Sequence, residues 1–267
     1  MDLEELARHV SDSTEFHFPG VTWHLPRLLG FQLTRFMVLE VVAAVAMLLV
    51  FLPLARRIRT GQSPRGIFWN LFETVLQFIR DEVARPAIGR HDADRFLPLL
   101  WNVFFFILFC NLMGVLPWAG SPTGALTVTG ALAVVMFLVV LGAGMAKCGL
   151  LGFWKSLVPH MELPWYMAVF MVPMIFFLEL LGLVIRHVVL AVRLLANIFG
   201  GHLALAAIVG FIAATANQAI LVWAGVTASS VLGAAALTLL EIFVAFLQAY
   251  IFTFLSALFI GMAVHPH

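Results

Sequence analysis

Long apolar runs dominate the chain, and the breaks between them are short and polar. An α-helix rises about 1.5 Å per residue, so roughly 20 apolar residues are enough to cross the hydrocarbon of a bilayer. Each run reaches that length, and the pattern predicts an all-α integral membrane protein with about five membrane-crossing helices. The runs cover about residues 33–54, 96–116, 125–146, 165–213 and 219–264.

The last two runs are too long for ordinary spans. A helix of about 50 residues extends roughly 70 Å, more than twice the hydrocarbon thickness. Each run therefore contains either two spans or one tilted or bent helix. The residues between 182 and 200 include no glycine, proline or turn cluster that would reverse the chain inside the membrane. We expect one long, tilted helix from each run, antiparallel to the other, with the turn near "TANQAI" (215–220).

About residues 66–88 show a different, amphipathic pattern. Apolar residues recur at helical spacing, and polar residues line another face. A basic amphipathic helix with Trp and Phe on its apolar side is typical of a helix in the membrane interface. A soluble helix packed on another domain is the weaker alternative, because the pattern contains no soluble domain. The apolar positions are Phe68, Leu71, Phe72, Val75, Ile79 and Val83.

The first 30 residues are mixed in character, with turn signals at "FPG" and "LPR". They predict an N-terminal surface segment (1–30) that precedes a single membrane domain (31–267). The start, "MDLEELARHVSDS", is acidic where a targeting presequence would be basic, so no cleaved targeting segment is expected.

Composition agrees with the membrane assignment and narrows the function. Of the 267 residues, 63% are hydrophobic and only 11% are charged, whereas soluble domains are about a quarter charged. The net charge of +1 gives no indication of a nucleic-acid partner. The two cysteines, Cys110 and Cys148, provide neither a disulfide framework nor metal-ligand spacing, and no metal or other cofactor is expected.

The basic residues predict the orientation, because cytoplasmic loops carry an excess of Lys and Arg. With five spans, ten basic residues fall on one side and three on the other, which places the C-terminus on the cytoplasmic side. Splitting the fifth run into two spans would move the C-terminus across. The basic side has Arg56, Arg57, Arg59, Arg65, Arg80, Arg85, Arg90, Arg95, Lys147 and Lys155, and the opposite side has Arg8, Arg27 and Arg35.

Ionisable residues inside the predicted spans are costly and mark ion pathways by default. Structural ion pairing is the alternative for any single one. Glu40 lies near one end of its span, where hydration alone would account for it. The five residues are Glu40, Glu179, Arg186, Arg193 and Glu241.

Three of these charges share one helix face. Glu179, Arg186 and Arg193 are seven residues apart, and about 100° of rotation per residue aligns them. Asn197 follows one turn later. Glu179 can neutralise Arg186, but Arg193 has no acid of its own in the helix. Because arginine stays protonated, Arg193 implies a carboxylate brought by a partner.

A second polar set faces the neighbouring helix. His202 is nine residues past Arg193, about 180° around the helix. In the last run Glu241 and Gln248 are seven residues apart and share a face. A lone His or Gln in a span is more often a packing group. An imidazole and a carboxylate that each face a neighbouring helix indicate a proton path, so the residues predict a proton or cation conductor.

The motifs resemble those of the a subunit (subunit 6) of the F-type ATP synthase. The stretch "LAVRLLANIFGGHLAL" resembles the family's penultimate helix, and "LLEIFVAFLQAYIFTFLSALFIGMA" its last helix. "FLPLLWNVFFFILFCNLMGVLPWAGSPTG" is similar to its second span, and "SPRGIFWNLFETVLQFIRDEVA" to its interfacial helix. The resemblance covers most of the chain, apart from the first 30 residues.

The resemblance implies a subunit that is not an enzyme on its own but conducts protons within the ATP synthase complex. It implies a bacterial plasma (inner) membrane, b-type peripheral stalk subunits as partners, and a rotating ring of c subunits, each with a membrane carboxylate. Two half-channels lead to this ring from opposite sides. Arg193 matches the essential arginine that meets the ring carboxylate.

The remaining site residues are carried over position by position. Glu179 matches a carboxylate of the cytoplasmic half-channel, and Asn197 and Gln248 match polar residues beside the arginine. His202 and Glu241 match the pair that lines the other half-channel. Many bacterial members have the carboxylate first and the histidine second; here the order is exchanged, as in the mitochondrial type. Arg186 and His187 are supporting candidates.

If Arg193 is level with Gln248, as the resemblance implies, positions at equal depth in the hairpin (about 165–264) have numbers that sum to 441. His202 is then level with residue 239, about one turn from Glu241.

A secondary transporter that binds an anionic substrate is the competing function, but such folds usually show repeated halves, and no repeat is visible. A purely structural membrane anchor leaves the aligned charges unexplained.

Overall fold

Five long helices form the framework of the computed structural model, which describes residues 15–18, 21–24, 27–28, 31–32, 34–59, 66–116, 120–156 and 165–265. All five are long and apolar enough to cross a membrane. The predicted all-α membrane architecture with five crossing helices is therefore confirmed. The five are α1 (Arg35–Arg59), α4 (Arg90–Gly114), α5 (Leu126–Cys148), α7 (Trp165–Ala214) and α8 (Ile220–Val264).

Shorter elements lie between and before them. Helix α2 (Ile67–Phe78) continues through a π-helical turn (Ile79–Ala84) into α3 (Arg85–Ile88), which confirms a helix over the predicted range 66–88. Its position in the membrane interface stays a prediction. A 3₁₀ turn (Pro122–Gly124) precedes α5, and α6 (Leu150–Ser156) follows it.

Two small antiparallel hairpins, which the sequence did not predict, precede α1. Strand β1 (Glu15–Phe18) pairs with β2 (Val21–His24), and β3 (Arg27–Leu28) pairs with β4 (Phe31–Gln32). The turn signals "FPG" and "LPR" fall where one strand ends and the next begins. Residues 1–14 of the predicted surface segment, and Arg8 and Arg65 of the charge argument, lie outside the described residues.

The two long runs each form one helix, as predicted. Helices α7 and α8 have 50 and 45 residues and are joined by a turn at residues 215–219. Pro173 lies inside α7, as is tolerated in membrane helices where neighbouring groups satisfy the freed carbonyl. Helix α4 begins at Arg90, earlier than the predicted start at 96. The apolar run marked only its membrane part, whereas Asp92 in the first turn favours the polar start.

The chain forms two compact units. The first unit comprises residues 1–63, 105–129 and 193–249, and the second comprises residues 64–104, 130–192 and 250–267. Helices α4, α5, α7 and α8 contribute residues to both. The prediction of one membrane domain over residues 31–267 stays a prediction.

Within the first unit, α7 and α8 run antiparallel in the predicted register. The Glu241 carboxylate lies against Gly201, and a Cβ on Gly233 would be 3.9 Å from Cδ1 of Ile208. The residue numbers in these two contacts sum to 442 and 441, against the predicted 441. Over two turns of the hairpin, residues at equal depth therefore have numbers that sum to about 441.

Within the second unit, the end of α8 is held by close backbone contacts. A Cβ at Gly261 would collide with the carbonyl of Ala87, so α8 approaches α3 as closely as glycine permits. His265, just after α8, is 3.1 Å from the Ile88 carbonyl oxygen through Nε2. Lys147 Nζ at the end of α5 is 2.9 Å from Oδ2 of Asp92 in α4. Four helices therefore meet at this end of the unit.

Candidate functional site

The first unit contains a cavity of about 310 Å³ between α4, α7 and α8. Its walls are largely apolar, with leucine, valine, alanine and glycine from all three helices. Four polar side chains also line it, and a few polar groups in a largely apolar wall are typical of small-molecule sites. These side chains are Asn111, Asn197, His202 and Glu241.

Glu241 reaches the cavity because α7 has no side chain in its way. The carboxylate occupies the space that a Cβ at Gly201 would need. Among the residues that the structure describes, no hydrogen bond or ion pair holds this carboxylate. His202, the next residue of α7, is half-buried and lines the same cavity. The structure thus brings His202 and Glu241 together, as the register predicted.

Arg193 lies one turn before Asn197 on α7. Its side chain is exposed, and within the described part of the chain it has no acidic partner. Gln248 on α8 is buried, with 6% of its surface exposed, but it does not line the cavity. Of the predicted site residues in this unit, the cavity therefore collects Asn197, His202 and Glu241.

A buried hydrogen-bond chain supports one wall of the cavity. Asn111 Nδ2 donates to the carbonyl of Ala245, one turn after Glu241, at 3.4 Å. Thr123 Oγ1 donates to Asn111 Oδ1 at 2.6 Å. The Ser121 hydroxyl is 2.7 Å from that of Thr123. The chain therefore ties the segment before α5 to the helix that carries Glu241.

Sequence reasoning missed Asn111 as a site residue. The available signal was an amide inside the apolar run of α4, noted only as part of a motif. Arg35 was also missed, since it was counted only as a charge outside the membrane. It is buried, with 8% of its surface exposed, and interacts electrostatically with His202. Glu40 is half-buried and interacts electrostatically with Cys110.

The second unit holds the other predicted polar residues. Arg186 Nη2 is 3.6 Å from Glu179 Oε1, which confirms the predicted neutralisation. The guanidinium carbon of Arg186 is 6.0 Å from the centroid of the Phe259 ring. His187 is buried beside this pair and bonds the Leu183 carbonyl. Here Glu179 and Arg186 compensate each other, and Nδ1 of His187 bonds the backbone.

The described residues contain no group of three or more His, Cys, Asp or Glu side chains arranged to hold a metal ion. The polar side chains that line the cavity are one imidazole, one carboxylate and two amides. An imidazole and a carboxylate can both take up and release protons, whereas the amides can only form hydrogen bonds.

Comparison with known proteins identifies the family. Residues 37–261 match the family described as ATP synthase A chain. The chain is 40% identical over 242 residues to ATP synthase subunit a of Myxococcus xanthus (strain DK1622), which covers 90% of this chain and 76% of the relative. It is also 40% identical over 265 residues to ATP synthase subunit a of Chloroherpeton thalassium (strain ATCC 35110 / GB-78), covering 96% and 75%.

A third relative is ATP synthase subunit a 2 of Chlorobaculum tepidum (strain ATCC 49652 / DSM 12025 / NBRC 103806 / TLS). It is 36% identical over 268 residues, covering 97% of this chain and 72% of the relative. Identity at this level extends over nearly the whole chain, including the helices that form the cavity and carry Arg193. The chain therefore belongs to the ATP synthase A chain family.

Proposed function

We propose that this chain is the stator a subunit of a rotary F-type ATP synthase. It provides two proton half-channels beside a ring of c subunits, and Arg193 couples proton passage to rotation of that ring. The observation that carries the proposal is Arg193 itself, an exposed guanidinium without an acidic partner in the described part of the chain, one turn from a residue of the cavity.

Arginine suits this role because it keeps its proton. It cannot carry the transported proton, but it stabilises an ionised carboxylate that comes close to it. A ring carboxylate that meets Arg193 therefore releases its proton before it passes. A proton cannot cross between the half-channels at this point without displacing the guanidinium. Arg193 therefore blocks direct proton leakage from one half-channel to the other.

The cavity of the first unit serves as the half-channel that leads protons to the ring. His202 and Glu241 exchange protons with water or with each other, while Asn197 and Gln248 offer hydrogen bonds on the way to the ring. Glu179 belongs to the half-channel on the cytoplasmic side, and Arg186 pairs with it. The arrangement favours a proton path over an anion-binding transporter, because the cavity carries an acid and a histidine and not an uncompensated cation.

The proposal also covers the partners of the chain, its membrane and its orientation. The partners are the c-subunit ring, b-type peripheral stalk subunits and the rest of the ATP synthase complex. The bilayer is the plasma (inner) membrane of a bacterium, with the C-terminus on the cytoplasmic side.

Cysteine labelling tests this orientation in a background without the two native cysteines. A cysteine at His265 should react from the cytoplasmic side and one at Gln218, in the turn between α7 and α8, from the opposite side.

Arg193→Ala in the assembled complex tests the proposed function. It should reduce ATP-driven proton pumping in membrane vesicles to background, while the complex still assembles. Arg193→Lys should rescue poorly, because a compact, strongly hydrated ammonium differs from a planar guanidinium. Arg95→Ala, which removes an exposed arginine of α4, is the matched control and should pump normally. Coupled pumping at the parent rate in Arg193→Ala would overturn the proposal.

A further inference from the structure

His187 is a buried titratable residue that the proposed function does not use. It lies on α7 in the second unit with 5% of its surface exposed. The imidazole packs between Phe137 of α5 and Phe259 of α8, with 5.3 Å between ring centroids in both pairs. Two aromatic rings from two different helices therefore fix the position of this side chain.

The hydrogen bond of His187 fixes its tautomer. Nδ1 is 2.9 Å from the carbonyl oxygen of Leu183. A carbonyl oxygen only accepts, so Nδ1 carries the hydrogen, and in the neutral ring Nε2 has a free lone pair. Nε2 is buried, and it has no hydrogen-bond partner within the described residues. Buried polar atoms of this kind are uncommon and call for an explanation.

The charged groups beside the imidazole belong to one ion pair. Arg186 is the charge next to the imidazole, and Glu179 pairs with it. The residues of α5 and α8 in contact with the ring, Phe137 and Phe259, carry no charge. The Phe137 ring stands at 81° to the imidazole plane and the Phe259 ring at 48°.

We propose that His187 is a proton acceptor on the Glu179 side of the pathway. This inference rests on the proposed function and extends it by one residue. A proton delivered by water bonds to the Nε2 lone pair and gives an imidazolium, while Nδ1 keeps its bond to Leu183. The new N–H bond then breaks, its electron pair stays on Nε2, and the proton passes through water to the Glu179 carboxylate.

Two substitutions separate this role from a structural one. His187→Phe keeps the aromatic packing and removes both nitrogens. His187→Asn keeps an N–H donor for the Leu183 carbonyl and removes Nε2. If His187 only packs, His187→Phe should match the parent, and if it only holds Leu183, His187→Asn should match it.

The measurement is ATP synthesis by the whole complex in liposomes, driven by an imposed proton gradient and potassium diffusion potential. The pH on the cytoplasmic side is varied through the range in which histidines titrate, about pH 5 to 8. Both variants should assemble, lose about tenfold or more in rate, and lose the change in rate across that range. His91→Phe and His91→Asn, which alter an exposed histidine in the same unit, are the matched controls.

Two results would overturn the inference. One is a rate within about twofold of the parent in either His187 variant. The other is an unchanged pH profile in both. Arg193→Ala, measured in parallel, keeps this failure distinct from failure of the proposed function. If Arg193→Ala uncouples the complex while the His187 variants work normally, only the role of His187 is wrong. If Arg193→Ala still synthesises ATP, the proposed function is wrong whatever the His187 variants do.

Discussion

The two polar regions of α7 look alike in sequence and differ in structure. In the second unit, Glu179 and Arg186 neutralise each other, and His187 bonds its own backbone between two phenylalanine rings. In the first unit, His202 and Glu241 line a cavity, and no hydrogen bond or ion pair holds the Glu241 carboxylate within the described residues.

The difference shows what decides whether a membrane charge is free to act. Helical spacing puts a residue on a face, but the neighbouring helix decides whether that face meets a partner or a cavity. In the first unit a glycine opposite Glu241 leaves the carboxylate room. In the second unit Phe259, which lies on the same helix as Glu241 (α8), packs against His187 and Arg186.

The largest effect is expected from the cavity pair. His202→Ala and Glu241→Ala should each slow ATP-driven pumping by about tenfold or more, because each removes a proton-exchanging group from one path. The double variant should be little slower than the poorer single variant. The exchanged pair, His202→Glu with Glu241→His, should recover more activity than either half of the exchange. Strictly additive losses without recovery would show that the two residues do not share a path.

The next effect concerns the room that Gly201 gives to Glu241. Gly201→Ala should displace the carboxylate and slow pumping by several-fold, with a destabilisation of about 1–3 kcal/mol from overpacking. Gly200→Ala is the matched control, because a Cβ there has no heavy atom within 4 Å. Pumping rate and thermal stability of the complex are measured for both. Equal behaviour of the two variants would contradict the contact.

A smaller effect is expected from Asn111, whose side chain bonds the backbone of α8 and supports the cavity wall. Asn111→Leu removes the bond to the Ala245 carbonyl and leaves the Thr123 hydroxyl without its acceptor. The free energy of unfolding should fall by about 1–3 kcal/mol, seen as a lower thermal midpoint of the complex. Asn102→Leu changes an exposed amide of the same helix and should leave the midpoint unchanged. A thermal midpoint as high in Asn111→Leu as in the control would contradict a stabilising role for the Asn111 hydrogen bonds.

The smallest effect should come from the ion pair of the second unit. Both side chains are more than 40% exposed, at 42% and 45%, and the charged atoms are 3.6 Å apart. A double-mutant cycle of Glu179→Gln and Arg186→Gln should therefore give a coupling of about 1 kcal/mol or less in thermal stability. A coupling several times larger would mean that the pair stabilises the unit as strongly as the cavity support does.

The sequence predicted the helices and their polar faces because both follow from local periodicity. The ends of α7 and α8 and the turn between them agree with the prediction because apolar length sets them. Their register agrees with the one that the family resemblance implied. The pairing of Glu179 with Arg186 was also predictable from spacing on one helix.

The contacts between distant parts of the chain were not predictable. Asn111 bonds a residue 134 positions away, and no periodicity in one helix indicates which neighbour it meets. The contact of Glu241 with Gly201 and the packing of His187 against Phe137 and Phe259 have the same origin. The hairpins before α1 were missed because their strands have only two to four residues each, too few for an alternating pattern to be distinguished from a loop.

The division of the chain into two interleaved units has a consequence for its synthesis. Each unit draws on three separate segments, and each needs part of α8, which is synthesised after every other described helix. Neither unit can reach its final packing before α8 is synthesised, whereas domains built from one continuous segment fold as they emerge. Until α8 is inserted, the Ala87 backbone lacks the Gly261 contact, and the wall that carries Asn111 lacks Ala245. A ribosome that stops within α8 should therefore leave both units unfinished, and membrane proteases should remove such chains faster than chains in which α8 is complete.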